Sequence, residues 1–408
     1  MDFNDSPEEA AFRAEARAWL EKTVGQPNAR TNLRVEGEEA MQAAKAYQKK
    51  KAEAGYAGLT WRKEVGGRGL APIFQVIFGQ EEQKFQAPVG PFAIGLGMCI
   101  PTVIAFHSPE KIKRYVGPAL KGEEIWCQLF SEPSAGSDVA GLKTRAVKDG
   151  DDWVINGQKV WTSGAHYSDY GILLARTNPE KEKHKGLTMF VLNMKALGVE
   201  VRPIHQMSGG SNFNEVYFND VRISDGERLG DIGNGWNVAL VTLMNERLAV
   251  GGSMGPEYGE ILELARNTPS PSGKGALIQD QAFREKLASW YVSAEGYTLG
   301  KYRTMTALSK GQTPGPESSI GKILNANRMQ DLANSAIEAE DHYGIISDPS
   351  LAAMQGAFHN AYMWAPGLRI AGGTDEILRN IIAERVLGLP QDVRVDKGVA
   401  YKDLPTGR

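Results

Sequence analysis

The amino-acid sequence predicts an α+β fold in which a sheet domain separates two helical domains. Apolar side chains recur at helical spacing over residues 1–124 and again over 236–408. Residues 125–235 instead contain short runs rich in Val, Ile, Thr and Trp, such as WVINGQKVWTS at 153–163, which are typical of strands in an antiparallel sheet. Because 408 residues exceed what one hydrophobic core usually supports, we expect an N-terminal all-α domain, a β-sheet domain and a C-terminal helical domain within these bounds.

Local signals mark the ends of the first and last helices. Ser6 precedes a proline and stands three residues before Glu9, an arrangement that predicts a capped helix start. Thr374 is predicted to cap the last helix, which is followed by a glycine and a proline. Proline and glycine interrupt the C-terminal helices at 267–275 and at 311–318, so both segments are predicted to be loops.

Two dipeptides in the sheet domain have the composition of tight turns. Asn156-Gly157 and Asn219-Asp220 fall within or between the strand-like runs. Asn, Asp and Gly are the residues that tolerate the left-handed backbone of hairpin turns. We therefore interpret both pairs as turns of an antiparallel sheet.

Composition and charge argue against several classes of partner. The net charge of -3 leaves no basic excess to bind nucleic acid or an anionic membrane surface. The acidic start has no apolar run long enough for a signal peptide or a membrane span, so a cytoplasmic protein is expected. Cys99 and Cys127 form neither a disulfide framework nor a metal-binding spacing, and we interpret them as core residues in a reducing compartment.

Three common kinds of site receive little support from the sequence. Residues 251–255 spell GxSxG around Ser253, but a helical segment leads into them, whereas a nucleophile elbow needs a preceding strand. The six histidines contain no HxxxH pair, which argues against a zinc or di-iron site. Gly66, Gly67 and Gly69 lack the preceding strand and following acidic residue of a dinucleotide-binding fingerprint.

The segment LFSEPSAGSDVAGLKTRA at 129–146 is the strongest candidate for a binding loop. It is rich in small residues and fits neither a strand nor a helix. Serines and closely spaced glycines let backbone amides approach a polar ligand, so Ser131 and Ser137 are candidates to bind a cofactor ring or its phosphates. A purely structural loop remains the alternative for this segment taken alone.

Three stretches of the sequence resemble signatures of the acyl-CoA dehydrogenase family. They are SEPSAGSDVAGLKTRA from residue 131, INGQKVWTSGA at 155–165 and RIAGGTDEILRNIIAERVLGLP at 369–390, in the family's order and spacing. The order of helices, sheet and helices covers nearly the whole chain. The resemblance implies FAD as cofactor, an acyl-CoA thioester as substrate and a C-terminal domain that is a four-helix-like bundle.

The resemblance also assigns residues to the cofactor. Ser137 is implied to lie beside the acyl-CoA or the polar arm of the flavin. Core packing of an aromatic residue on a strand is the alternative for Trp161. The residues implied to border the isoalloxazine ring are Leu129, Ser131, Trp161 and Ser163. At the start of the last helix, Thr374 and Glu376 are implied to contact the cofactor.

Glu246 is the predicted catalytic base. Many family members carry a glutamate where this chain has Gly372, which cannot act as an acid or base. Glu246-Arg247 resembles the pair that supplies the base in long-chain and isovaleryl-type members. The surrounding segment is apolar, and desolvation there is expected to raise the pKa of a carboxylate towards neutrality, which strengthens it as a base.

Glu246, Arg247 and Gly372 have further expected roles. A structural ion pair between Glu246 and Arg247 is the alternative to the base. As a functional residue, Arg247 is expected to contact the acyl-CoA. The backbone amide of Gly372 is expected to polarise the thioester carbonyl.

The sequence departs from the family in one region that bears on assembly. Many relatives carry an arginine-phenylalanine motif that reaches the flavin of a neighbouring subunit, where this chain has the 267–275 segment and only Arg266 and Phe283 as partial substitutes. A homo-oligomer and a heterotetramer with a related subunit are both open. The expected activity is α,β-dehydrogenation with an electron-transferring flavoprotein as acceptor. The alternatives are a catalytically silent subunit and, on the same fold, an oxidase or monooxygenase.

Overall fold

The protein consists of N-terminal helices, a central sheet and a C-terminal group of helices, which confirms the predicted fold class. The computed structural model describes residues 4–26, 37–85, 87–249, 255–270, 273–310, 312 and 315–405, and of residues 246–249, 308, 309 and 318 it describes the backbone alone. Within these ranges no helix is both long enough and apolar enough to cross a membrane.

The N-terminal part begins with the capped helix that the sequence predicts. Ser6 Oγ accepts a hydrogen bond from Glu9 N at 3.3 Å, and Ser6 N donates to Glu9 Oε2 at 2.8 Å, so the capping box is confirmed. Aromatic residues of the first and third helices form its core, where Phe12 meets Phe74 edge-on at 5.0 Å. The helices are α1 Pro7–Thr23, α2 Gly37–Glu53, α3 Pro72–Glu82, α4 Ile100–Phe106 and α5 Pro109–Leu120.

The central part is a sheet whose strand order is β6-β7-β3-β2-β4-β5-β8, with β1 paired to β4. Most neighbours are antiparallel, but β1 and β2 each run parallel to β4. Parallel strands need a long connection, and the chain between β1 and β4 contains the loop after β1 together with β2 and β3. The strands are β1 Trp126–Leu129, β2 Arg145–Asp149, β3 Asp152–Ser163, β4 Tyr170–Arg176, β5 Leu187–Asn193, β6 Val199–Pro203, β7 Phe213–Ser224 and β8 Arg228–Leu229.

The interpretation of Asn156-Gly157 and Asn219-Asp220 as turns was wrong. Both pairs lie inside long strands, and they face each other where the register of β3 and β7 shifts. Asn156 Nδ2 donates to Asp220 Oδ1 at 2.9 Å, and Asp220 N donates to Asn156 Oδ1 at 3.1 Å. The left-handed backbone that these residue types tolerate is used for a bulge, with φ of 51° at Asp220.

The C-terminal part consists of packed helices. Thr374 Oγ1 accepts a hydrogen bond from Ile377 N at 3.2 Å, which confirms the predicted cap. Of the two predicted loops, the described residues of 267–275 lie between helices, and those of 311–318 lead into the next one. The helices are α6 Gly235–Ala249, α7 Tyr258–Asn267, α8 Gln281–Ser309, α9 Ser318–Glu340, α10 Ala357–Leu368 and α11 Asp375–Ile381.

Each face of the sheet contributes to a different hydrophobic core. Leu129, Trp153 and Phe190 pack within the sheet domain. On the opposite face, a second core joins strand residues to the N-terminal helices and to α6, and includes Trp126, Ile172, Cys99 and Val238. The thiol of Cys99 donates to the carbonyl oxygen of Cys127 at 3.4 Å, and both cysteines are buried and free, as expected of core residues.

Helix α6 begins in direct contact with the sheet. A Cβ atom on Gly235 would lie 2.6 Å from the backbone nitrogen of Thr188, so only glycine allows this approach. Asn234, the residue before Gly235, forms a parallel bridge with Leu187 of β5. The first turn of α6 is therefore fixed against β5, while the rest of the helix packs against α4 and a π-helical turn at Gly95–Cys99.

Glu227 links the N-terminal helices to the sheet domain. Its carboxylate accepts hydrogen bonds from Lys111 Nζ and, at 2.7 Å, from Tyr115 Oη, while His107 Nε2 lies 3.7 Å away. Burial opposes its ionisation, but these three neighbours outweigh burial and lower the pKa of Glu227 to about 2. The link is therefore an ionic contact between two parts of the chain.

Acid is expected to weaken this link. Because the pKa of Glu227 is lower in the folded protein than the ordinary value of 4.5, its contribution to stability is present above pH 4.5 and is lost as the pH falls towards about 2. Glu227→Gln should lower the free energy of unfolding at pH 7 by about 1–2 kcal/mol and flatten its decline between pH 5 and pH 2.

Denaturant titrations across this pH range measure both effects. Glu295→Gln, on the exposed side of α8, is the matched control and should retain the decline of the parent protein. An undiminished acid decline in Glu227→Gln would contradict the assignment of this titration to Glu227.

Candidate functional site

The loop that follows β1 is joined directly to β3. Val160 N donates to the carbonyl oxygen of Ser131 at 2.9 Å, and Lys159 Nζ donates to the carbonyl oxygen of Phe130 at 2.9 Å. The structure thus brings the segment that contains Ser131 together with the segment that contains Trp161, although the two are far apart in sequence.

A buried ion pair closes the loop. Glu132 Oε1 lies 2.9 Å from Nζ of Lys159, and both side chains are almost completely inaccessible. The same carboxylate accepts the backbone amides of Lys143 at 2.6 Å and Thr144 at 2.9 Å, so it connects both ends of the loop. Burial opposes ionisation of Glu132, but Lys159 and the amides hold its pKa below the ordinary value.

Trp161 lies on the surface of the sheet domain. Its side chain is 59% exposed, which rules out core packing as its role. Its φ of 60° is unusual for a residue other than glycine and coincides with a shift in register between β3 and β7. The bulge thereby turns the indole outward at the point where β3 meets the loop.

An aromatic contact joins this region to the C-terminal helices. The ring of Phe213, which pairs with Ser163 across the strands, lies edge-on to Trp161 at 6.0 Å. Phe213 also stacks on Trp364 of α10, with centroids 5.7 Å apart and planes within 5°. Trp161 and Ser163 therefore lie beside the junction between the sheet domain and the C-terminal helices.

Leu129 lies on the face of β1 that packs into the core of the sheet domain. Its side chain is completely inaccessible and packs against Gly171. The preceding residue, Gln128, points to the opposite face because side chains alternate along a strand. The assignment of Leu129 to the flavin ring stays a prediction.

Gln128 and Thr162 carry buried polar atoms that the fold leaves unsatisfied. Gln128 Oε1 and Thr162 Oγ1 are inaccessible and, among the residues that the structure describes, neither has a hydrogen-bond partner. Buried polar groups usually have partners, so such atoms indicate a place for a ligand. Sequence reasoning missed both residues, although strand alternation next to Leu129 and Trp161 could have identified them.

The remaining predicted residues lie on the loop and at the start of α11. Ser137 is exposed near the middle of the loop, and Glu376 is exposed in the first turn of α11. Thr374 is committed to the helix cap. The next residue, Asp375, is buried and paired with Arg369 at 2.6 Å, and it fixes the start of this helix.

Gly372 lies two residues before this cap. Its φ of 63° is in the left-handed region that favours glycine, so the residue that replaces the glutamate of other relatives also suits the local backbone. Lys322 Nζ donates to the carbonyl oxygen of Gly373 at 2.8 Å. The peptide group between Gly373 and Thr374 is thus held in place by α9.

Position 246 lies on α6, one helical turn beyond a buried contact with the N-terminal domain. Thr242 Oγ1 and Thr102 Oγ1 form a hydrogen bond of 2.8 Å, and both side chains are completely buried. The backbone of α6 continues as a helix through residue 249. The side chains of Glu246 and Arg247 lie outside the described part of the structure, as does Ser253.

Comparison with known protein families accounts for the whole architecture. Family models described as "Acyl-CoA dehydrogenase, N-terminal domain", "middle domain" and "C-terminal domain" match residues 6–123, 127–221 and 233–387 respectively. The chain belongs to the acyl-CoA dehydrogenase family. This acyl-CoA dehydrogenase is accordingly an oxidoreductase, and the resemblance that the three signatures carry is confirmed.

Individual relatives cover almost the full length of this acyl-CoA dehydrogenase. It is 37% identical over 393 residues to "Acyl-CoA dehydrogenase IpdE1" of Mycobacterium tuberculosis, across 94% of this chain and 98% of that protein. A solved structure described as "Tcur3481-Tcur3483 steroid ACAD" has a TM-score of 0.80 and 27% identity, across 96% of this chain and 100% of that one. The ChsE4-ChsE5 complex of Mycobacterium tuberculosis has a TM-score of 0.77 and 28% identity, with the same coverage.

FAD is the cofactor of this acyl-CoA dehydrogenase, as predicted. The residues present suit a flavin, because Gln128 and Thr162, whose oxygens lack partners among the described residues, stand close in sequence to Ser131 and Val160, which join the loop to β3. A hydrogen-bonding ring edge would satisfy such atoms, and the exposed indole of Trp161 offers it a flat apolar face. When bound, FAD supplies the acceptor for the two electrons that an acyl-CoA loses.

Proposed function

We propose that this acyl-CoA dehydrogenase converts an acyl-CoA thioester to the trans-2-enoyl-CoA, with Glu246 as the base. Glu246 would take the proton from the α-carbon, and bound FAD would supply the acceptor for the hydride that leaves the β-carbon. The match of three consecutive domain models supports this reaction class. The position of residue 246 on α6 is the structural observation that carries the choice of base.

The packing of α6 supports that choice. The helix is fixed at its first turn by the contact between Gly235 and Thr188, and further along by the hydrogen bond between Thr242 and Thr102. Residue 246 follows Thr242 by one helical turn, so the two positions lie on the same side of the helix. The sequence around residue 246 is apolar, which favours a carboxylate that binds a proton more readily than one in water.

Two further residues of the chain are assigned to the thioester. Gly372 has no side chain that could compete with Glu246 as a base, and its amide is proposed to donate to the carbonyl oxygen while negative charge develops there. Arg247 is proposed to contact the phosphorylated arm of acyl-CoA, since a guanidinium binds phosphate oxygens in pairs.

We infer that the acyl group is bulky, with a steroid-derived acyl-CoA as the leading candidate. The solved structure with a TM-score of 0.80 is described as a steroid enzyme. The sequence has small residues at 249, 251 and 252, which would leave room for a bulky acyl group. Straight, branched and steroid acyl-CoAs, added anaerobically to the purified protein, should differ in how fast they bleach the flavin absorbance. Equal or faster bleaching by straight-chain substrates would contradict the steroid assignment.

Assembly with a related subunit is the second element of the proposal. One of the similar structures is a complex of two differently named chains. Exposed apolar side chains lie along α8 and α9, among them Val292, Leu299, Ile320 and Leu324. Phe283 packs against Trp290 in the core of the C-terminal helices, so its ring cannot serve as the partial substitute that reaches a neighbouring flavin.

Purification of the chain alone tests the assembly. A species that lacks flavin or is unstable, and that recovers FAD with a co-expressed relative, would support a heteromer. A flavin-replete homotetramer would argue against it. The same preparations separate the active enzyme from a silent subunit, because only an active chain bleaches its own flavin when acyl-CoA is added. Electron-transferring flavoprotein is the proposed acceptor, and rapid reaction of the reduced flavin with oxygen would instead indicate an oxidase.

A further inference from the structure

The last part of the chain returns to the sheet domain after the C-terminal helices. The match to the family's C-terminal model ends at residue 387, and the segment 391–405, here termed the C-terminal strap, lies beyond it. Ala400 forms a bridge with Glu182, Tyr401 N donates to the carbonyl oxygen of Lys181 at 2.8 Å, and Lys402 N donates to that of Pro179 at 3.1 Å. The strap is thereby paired, by its backbone, with the connection between β4 and β5.

Tyr401 reaches from the strap to the loop at 130–144 between β1 and β2, here termed the cofactor loop. Its ring lies against the guanidinium of Arg176, with 3.4 Å from Cζ to the ring centroid, and its hydroxyl donates to the carbonyl oxygen of Gly141 at 3.1 Å. A buried cation against an aromatic ring is a stronger contact than an exposed one. The ring also covers Arg176, which is only 5% exposed.

Arg176 in turn holds the end of the cofactor loop. Its Nη2 donates to the carbonyl oxygen of Ala140 at 2.6 Å, and its Nε donates to that of Leu142 at 3.2 Å. A third hydrogen bond runs from Nη1 to the carbonyl oxygen of Lys183 at 3.1 Å. One guanidinium therefore connects the loop to the β4-β5 connection, under the ring of Tyr401.

A second contact between the strap and the same loop runs through Lys183. Its ammonium lies 2.5 Å from Asp396 Oδ2 and 2.9 Å from Asp138 Oδ1. Asp138 directly follows Ser137 and begins the turn whose carbonyls Arg176 binds. The strap thus holds both sides of the 138–142 turn, once through Tyr401 and once through Asp396.

We propose that the C-terminal strap is a positioning element for ligand binding, which fixes the turn at 138–142 so that the adjoining Ser137 meets the phosphorylated arm of a nucleotide. Both FAD and acyl-CoA carry such an arm. The inference rests on the proposed role of Ser137. It does not depend on the identity of the base, because the strap acts on binding and touches no reacting atom.

Binding measurements on Tyr401 variants test this inference. Tyr401→Ala should weaken the binding of FAD or of coenzyme A by about tenfold, because it removes the ring from Arg176 and the hydroxyl from Gly141. The FAD arm is a titration of the apoprotein followed by flavin fluorescence. The coenzyme A arm uses the holoenzyme and calorimetry. Whichever titration changes identifies the nucleotide that meets the turn.

Comparison variants separate positioning from general stability. Tyr401→Phe retains the ring and should restore most of the affinity. Tyr343→Ala removes an exposed tyrosine elsewhere in the C-terminal part and should bind both ligands as the parent does. Asp396→Asn, which removes the charge opposite Lys183 without leaving a cavity, should weaken binding by about two- to fivefold and covers the case in which Tyr401→Ala fails to fold.

Kinetics provide the last criterion. If the strap acts on acyl-CoA, KM should rise in Tyr401→Ala while kcat at saturation stays within about twofold of the parent, since binding alone has changed. Unchanged affinity for both nucleotides in the folded Tyr401 and Asp396 variants would overturn the inference. Failure of Glu246→Gln to affect flavin reduction would refute the proposed base and leave these titrations interpretable.

Discussion

Glu246→Gln is expected to lower the rate of flavin reduction by acyl-CoA by about 10²- to 10⁴-fold, while FAD and acyl-CoA still bind. The amide has nearly the same shape as the carboxylate but cannot take up the α-proton. Gly372, which occupies the position of the family's alternative base, has no side chain that could replace it. Anaerobic stopped-flow mixing of the holoenzyme with acyl-CoA measures the rate of flavin bleaching directly.

Two comparisons make the Glu246 result specific. Glu263→Gln makes the same chemical change on the exposed face of α7 and should leave the rate of reduction unchanged. Flavin content, read from the absorbance spectrum, should match the parent in both variants. If Glu246→Gln reduces its flavin at the parental rate, the α-proton is removed by another group and the proposed mechanism is wrong.

Glu132→Gln is expected to destabilise the folded protein by about 3–5 kcal/mol. The substitution leaves the completely buried ammonium of Lys159 without a counter-charge, and it weakens the acceptors for the amides of Lys143 and Thr144. The free energy of unfolding, measured by denaturant titration at neutral pH, reports the loss. FAD affinity should fall as well, because the loop that carries Ser131 and Ser137 loses its closure.

The matched control for Glu132 is a pair on the surface. Glu200 contacts Arg202 at 2.7 Å on β6, where both side chains are more than half exposed, and Glu200→Gln should change stability by less than about 1 kcal/mol. Adding Lys159→Met to Glu132→Gln should recover part of the loss, since the unpaired charge is then removed. A Glu132→Gln protein as stable as the parent would show that the pair contributes little.

Local sequence signals predicted the fold well. The periodicity of apolar residues distinguished helices from strands, and the caps at Ser6 and Thr374 depend only on residues within one helical turn. The bulge between β3 and β7 was not predictable in this way. Asn156 and Asp220 are 64 residues apart, and only their pairing across the strands shows that their left-handed tendency serves a bulge instead of a turn.

The candidate site was likewise predicted in part by local sequence signals and in part not. Signature segments indicated the loop at 129–146 and the strand that carries Trp161, and the structure places these two segments side by side. The signature did not single out Gln128, the neighbour of Leu129 whose side-chain oxygen lacks a partner among the described residues. The pairing of Glu132 with Lys159 and the return of the strap to Arg176 are long-range contacts without a sequence pattern of their own.

The closure of the cofactor loop by Glu132 has a consequence for the thermodynamics of ligand binding. The backbone amides of residues 143 and 144 in this loop donate to the side chain of Glu132. The carbonyls of residues 130 and 131 accept hydrogen bonds from β3, so the conformation of the loop is set before a ligand binds. The conformational entropy of this segment is therefore lost during folding. A nucleotide that enters finds a preorganised surface, and its affinity is not reduced by having to order the loop.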